Sequence, residues 1–458
     1  MIAPQPVPPG PPGLPVIGSA LAYRKDPFGF LERIARTYGE VVYSRFAGQH
    51  FYMITRPEHV EQVLVGRRER YGKDRFIRTL AVVIGQGLLV SEGALWRQQR
   101  RRMAPAFAHR HVGGYARTIS GCAGEHAAAW SAGVIDVGAA MMRMTLDIAL
   151  RALFGGGDPR AGASDDDALR VGRAFTTVSE FFADAVGKPV PLPLWVPTAR
   201  HRGLRRAIAE LDVVVARVIG QRRAAPPVPG DSPLDLLGML LAARDDDGAA
   251  MDDRQLRDEV LTLLLAGHET TALTLTYALA LIARDPEVQA RLAAEVAQLG
   301  GAAPTLEDLP RLAYCEQVAL ETMRLYPAAA TLGREVLEPD EIGGYPVPRG
   351  ATVVLSPWVI HRDPRHYAEP LRFWPGRWTA EFRRQLPRFA YFPFGGGQRV
   401  CIGEAFAMLE VRLALAAIVS RWQIAAVDDA PLAVVQAITV RPKDPVRLRL
   451  SPREAPHG

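Results

Sequence analysis

The feature that most constrains the fold is a helical pattern running from about Arg97 to Gly300, broken only by two proline-rich stretches, GKPVPLPLWVP and AAPPVPGDSP. Proline ends helices because it lacks an N–H donor and restricts the residue before it. Within this body, VLTLLLAGHETTALTLTYALALIA is apolar on nearly every side apart from a polar interruption at His268 and Glu269. A helix that is hydrophobic all round belongs in a bilayer or at the centre of a large core. Ionisable groups at bilayer depth are costly. This segment therefore reads as a buried helix, as does IDVGAAMMRMTLDIALRALF with its Asp136, Arg143, Asp147 and Arg151.

The flanks are mixed. Residues 1–18 form a stiff proline-rich lead-in without the basic stretch and apolar run of a signal peptide or membrane anchor. DPFGFLERIARTYGE has helical spacing, VVYSRFAGQHFYMIT alternates around a Gly-Gln turn as a hairpin does, and RPEHVEQVLVG has a helix start and a glycine stop. A further helical block ends at Pro327, and TLGREV, GGYPVPRG and ATVVLSPWVI then read as strands. The stretch from Asp363 to Gly397 has weak periodicity, and long irregular segments inside a domain usually serve function. A helix, EAFAMLEVRLALAAIVSRW, and a strand-rich tail close the chain. The expectation is one mainly α domain over 1–458 with a minor β lobe.

The chain's 458 residues, 48% hydrophobic, suffice for a large core. The three cysteines, Cys122, Cys315 and Cys401, form no CxxC pair, so neither a disulfide framework nor a structural zinc site is expected, and a reducing cytoplasm suits them. The net charge of +6 is dispersed apart from RRER and RQQRRR. No nucleic-acid motif accompanies it, so most basic residues read as solvated faces.

Chemistry concentrates at FPFGGGQRVCIGEAFA. A thiolate is favoured at a helix N-terminus, where free N–H groups point at it. The glycines let the backbone pass close to something flat and bulky. Arg399 brings a positive charge, and Gly403 permits close approach of the helix. Cys401 is then an axial metal ligand beside an anionic cofactor, a buried free cysteine, or a nucleophile whose base comes from elsewhere in the fold. In AGHETT, Ala266 and Gly267 leave room for a ligand against the helix. Glu269 and Thr270 set an acid beside an alcohol, either as a proton relay or as a buried ion pair with threonines bonded to the helix backbone.

FGGGQRVCIG resembles the haem-binding loop of the cytochrome P450 family, with Phe394, Gly397, Arg399, Cys401 and Gly403 at its characteristic positions. The resemblance spans most of the chain. It implies the family's fold, with heme b (iron protoporphyrin IX) between a long central helix and the cysteine loop, Cys401 as proximal ligand and Phe394 shielding the sulfur. It implies that Ala266 lies against the haem, Thr270 holds dioxygen and its waters, and Glu269 feeds protons. His268 falls where the family varies and reads as a structural or pocket-edge residue. Trp96, Arg100 and Arg334 would hold haem propionates, with Arg399 and Gly403 completing the cofactor site. Glu321 and Arg324 of ETMR would join Arg377 in a structural triad, although Gly376 and Trp378 depart from the family pattern around that arginine.

The implied reaction is hydroxylation of a C–H bond using dioxygen. No fused reductase is expected, so NAD(P)H would act indirectly, through a separate ferredoxin and ferredoxin reductase docking near Arg97, Arg101, Arg102 and Arg399. Pocket segments located by analogy are mainly apolar: Phe76, Leu80, Val83, Phe181, Phe182, Ala328, Leu332 and Ile438. They imply a lipophilic substrate, a terpene, fatty acid or polyketide-like compound, with terpene hydroxylation preferred. A cytoplasmic monomer without nucleic-acid partners is expected. The other reading is a haem-thiolate gas sensor or ligand carrier without turnover, which would keep Cys401 but need neither Glu269 nor Thr270.

Overall fold

The computed structural model describes residues 6–155, 165–185, 194–224, 235–245, 248–301 and 303–453. The expected break AAPPVPGDSP lies almost entirely outside the described residues, as does most of GKPVPLPLWVP. The central helix runs from Asp253 to Ile282 and begins where the Asp252 carboxylate accepts from the Gln255 N–H. At 1.5 Å per residue it is about 45 Å long. It packs against the helices Val137–Phe154, Ala313–Leu325 and Glu404–Arg421. Both apolar segments read from the sequence as buried helices therefore lie in the core, and among the described residues no helix is long and apolar enough to cross a membrane.

The β lobe centres on a five-stranded sheet, ordered Val41–Phe46, Gln49–Ile54, Thr352–Leu355, Leu332–Val336, Tyr71–Lys73. Only the pairing of Gln49–Ile54 with Thr352–Leu355 is parallel. The first hairpin forms as expected, but its turn is Ala47-Gly48 rather than Gly-Gln; both residues have positive φ, +47° and +82°. Positive φ at both loop positions matches the twist of a two-residue hairpin. The end of ATVVLSPWVI is not strand: Ser356 caps a short helix, Pro357–Ile360. The weakly periodic stretch after Arg362 consists of turns and short helices held by side chains.

Candidate active site

Glycine is required in the cysteine loop by the protein itself. Gly397 has φ +65°, and a Cβ there would lie 2.1 Å from the Leu64 carbonyl oxygen. A Cβ on Gly396 would lie 2.2 Å from the Phe389 ring. These contacts add a second reason for the glycines beside the expected approach to a flat ligand. The loop closes when the Cys401 N–H donates to the Phe394 carbonyl, 3.0 Å. Cys401 is the one exposed cysteine, yet protein crowds its sulfur, the position of a group in the wall of an interior recess. Burial raises its thiol above the usual range, the Gly403 N–H and Arg100 oppose this, and Glu404 adds to it. The helix start alone therefore does not hold a thiolate, and the sulfur needs a cationic partner. Arg399 is not that partner: it stacks on Trp96 at 3.9 Å and donates to the Ser91 carbonyl at 2.8 Å. Arg100 donates to the Val400 carbonyl, 3.0 Å.

The central helix is buried along most of its length, but Leu263, Ala266, Gly267 and Thr270 keep accessible surface, and Ala266 is exposed. Their spacing puts them on one face. Such a face in mid-core is the wall of a recess. Thr270 Oγ1 donates to the Ala266 carbonyl, 2.8 Å. Glu269 turns the other way. It is 3% exposed, pairs with Arg441 at 2.7 Å, and accepts from the Thr439 hydroxyl and from the Ser179 hydroxyl at 3.0 Å. Burial alone would raise its pKa, but Arg441, the Thr439 hydroxyl and His268 bring it below the usual value, so it is ionised at neutral pH. Of the two readings left open for Glu269, the ion pair is present. His268 is buried, bonds the Leu264 carbonyl at 2.8 Å and sits 5.1 Å from the Phe175 ring.

Strand register creates a cation cluster. Lys73 stands directly opposite Arg334 in the sheet, and both act electrostatically with Arg399 and Glu92. Like charges facing each other across strands are destabilising. Burial, then Arg334 and Arg399, lower Lys73 to about 7 against the opposing pull of Asp74 and Glu92. Asp74 is already engaged in capping a helix. A cleft of about 460 Å³ opens beside this cluster, lined in part by Lys73, Trp96, Arg334 and Arg399. A thiol at a recess wall, a bare helix face and buried cations in excess over their acids fit a haem with its two carboxylates.

The structural triad forms. Arg324 bonds both Glu321 oxygens at 2.8 Å, and Arg377 reaches Oε1 at 3.0 Å. Trp378, the departure from the family pattern, becomes a fourth member: its indole N–H donates to Glu321 Oε2 at 2.9 Å. Arg324 also bonds the carbonyls of His361, Pro370 and Arg372, and Arg377 that of Ala368. His361 Nε2 accepts from the Phe392 N–H, 2.9 Å. One buried carboxylate thus anchors the irregular segment that leads to Cys401.

Among the pocket positions, Phe76, Phe181, Ala328, Leu332 and Ile438 are partly exposed, whereas Leu80 and Val83 have no accessible surface and Phe182 has 3%. Those three back the wall rather than line it. Arg102 is buried and paired with Asp245 at 2.6 Å, so it cannot face a docking partner as expected. Sequence reasoning missed Lys73, Arg441, Thr439 and Ser179. It also missed Glu410, a buried carboxyl whose pKa burial pushes well up and which bonds Thr271. Helical phase could have found Arg102, since Trp96, Gln99, Arg102 and Met103 form one buried face.

The chain matches the family described as cytochrome P450 over residues 8–448. It is 38% identical over 417 residues to cyclooctatin synthase of Streptomyces melanosporofaciens, covering 90% of this chain and 89% of that one. It is 32% identical over 445 residues to pentalenene oxygenase of Streptomyces avermitilis, covering 97% of each. Among solved structures, retinoic-acid-bound cyanobacterial CYP120A1 superposes with a TM-score of 0.85 at 27% identity, covering 98% of this chain and all of that one. With a thiol, a bare helix face and a cation cluster in one fold, the chain belongs to the cytochrome P450 family and is a cytochrome P450 monooxygenase.

Proposed function

We propose that this enzyme hydroxylates a terpene, with heme b bound through Cys401 and electrons delivered from NAD(P)H by a separate ferredoxin and ferredoxin reductase. The observation that carries the reading is the bare face Leu263–Ala266–Gly267–Thr270 on an otherwise buried helix. Similarity to pentalenene oxygenase and to cyclooctat-9-en-7-ol 5-monooxygenase, with 33% identity to the latter, supports the substrate class.

Bound haem supplies the dioxygen-activating one-electron chemistry that side chains lack. Cys401 would hold the iron through its sulfur, with the Gly403 N–H directed at it. Lys73, Arg334, Arg399 and Arg100 would meet the two carboxylates. Thr270 presents a hydroxyl on the bare face and gives up its bond to Ala266 to donate to a ligand there. Glu269 is an ionised acceptor pinned by Arg441. To move a proton it must loosen from the strand Val440–Pro442, which couples proton delivery to the segment that carries Thr439 and Ile438 nearby. We read Phe76, Phe181, Ala328, Leu332 and Ile438, each partly exposed, as the apolar lining of the substrate site.

The test is titration of the ferric protein with terpenes, fatty acids and macrolides. A high-spin shift with terpenes alone is expected, and a shift confined to another class overturns the substrate assignment. Thr270→Ala keeps haem and substrate binding but diverts electrons to peroxide; unchanged coupling of electron use to product contradicts the role given to Thr270.

A further inference from the structure

Far from this site in sequence, a thiol, an imidazole and a carboxylate converge between two helices. Cys122 and His126 lie on one face of the helix Ala116–Ala129, and Asp147 faces them from the helix Val137–Phe154. Cys122 Sγ is 3.3 Å from Asp147 Oδ2, and His126 Nε2 is 3.1 Å from the same oxygen. All three donor atoms lie within 4.8 Å of one another. We propose that Cys122, His126 and Asp147 bind a zinc-type divalent cation that ties these two helices together.

Tetrahedral zinc with Zn–S of about 2.3 Å and Zn–N and Zn–O of about 2.0–2.1 Å sets neighbouring ligand atoms about 3.3–3.6 Å apart. The observed 3.1 and 3.3 Å need only small outward shifts. One sulfur, one nitrogen and one oxygen select zinc over magnesium or calcium, which take oxygen ligands. Cys122 is 1% exposed. The side chains of His126 and Asp147 keep 25% and 31% of their surface, which leaves an entry path and space for water as fourth ligand. Binding replaces the Cys122 thiol proton, which passes to solvent.

Arg151 is the competing cation. Its Nε and a terminal nitrogen bond the two Asp147 oxygens, each at 2.9 Å, and its other terminal nitrogen bonds Glu125 at 2.8 Å. A cation on Oδ2 displaces one of these bonds. The Nε bond to Oδ1 stays, the outer-shell contact that orients a ligating carboxylate. CxxC spacing does not announce this site, because the ligands combine an i, i+4 pair with a residue on the next helix. The two helices back the helices Glu404–Arg421 and Asp253–Ile282, so the cation would brace the scaffold behind the active site without touching it.

The test is calorimetric titration of the haem-loaded protein with zinc chloride, with absorption at the zinc edge to read the ligands. One equivalent is expected, with one sulfur at about 2.3 Å. Hundredfold excess over Kd should raise Tm by about 2–3 °C, with the ferric haem spectrum unchanged. Cys122→Ser and His126→Ala should each weaken binding at least about tenfold, the scale of losing even an outer-shell partner. No binding to the wild type, unchanged binding in Cys122→Ser, or a shell without sulfur overturns the proposal.

Discussion

Two buried ionic groups flank the cysteine loop, and they are built on opposite charge plans. Around Glu321, both carboxylate oxygens are shared among Arg324, Arg377, Trp378 and the Trp374 N–H, while the arginines spend their remaining donors on carbonyls. This group is closed. Around Lys73 the strand register sets Lys73 against Arg334, with Arg399 nearby and the acids Asp74 and Glu92 accepting from the backbone N–H groups of Ile77 and Lys73. This group is open, because its cations face one another and, among the described residues, no carboxylate is in an ion pair with Lys73, Arg334 or Arg399. Closed ionic networks position a scaffold; open ones mark where an ion or cofactor completes the molecule.

The closed group should break most severely. Glu321→Gln leaves Arg324 with 0% side-chain exposure and no charge partner. The expected loss is about 3–5 kcal/mol, the cost of stranding one half of a buried pair. Urea unfolding measures it, and a loss under about 1 kcal/mol would show that carbonyl bonds alone hold the segment. Trp378→Phe keeps an aromatic ring, though a smaller one, and deletes one donor to the carboxylate. It should cost about 1.5–3 kcal/mol, the scale of a hydrogen bond to a charged group.

The open group should respond in the opposite sense. Without haem, Lys73→Met should stabilise the protein at pH 7, because it removes a buried charge that faces Arg334 across the sheet. The sign follows from linkage. The folded pKa, about 7, lies below the unfolded one, so the unfolded chain binds more protons between them and wild-type stability rises with pH in that window. The wild type's deficit against the variant should be constant below pH 7 and close toward about pH 10.4. With haem bound the variant should instead be the less stable protein.

The same contrast explains what was legible in the sequence. Glu321 and Arg324 sit three apart on one helix, and Cys401 sits in a loop of fixed spacing, so local pattern was enough. Lys73 is one lysine in a three-residue strand, and only its register against a strand far along the chain gives it meaning. Arg441 reaches Glu269 across 172 residues. Arg102 looked like its neighbours in RQQRRR because the reading ignored helical phase. The central helix was legible because its apolar surface is nearly continuous, and the hairpin turn was misplaced by one residue because Gly48 can serve either position.

The most direct test of the open-cluster account is reconstitution of the apoprotein with heme b and, separately, with its dimethyl ester, which keeps the iron and ring but removes both carboxylates' charge. The account predicts that the wild type binds heme b at least about tenfold tighter than the ester, a difference of about 1.4 kcal/mol, and that Lys73→Met narrows this preference. Equal affinity of the wild type for the two forms would contradict it.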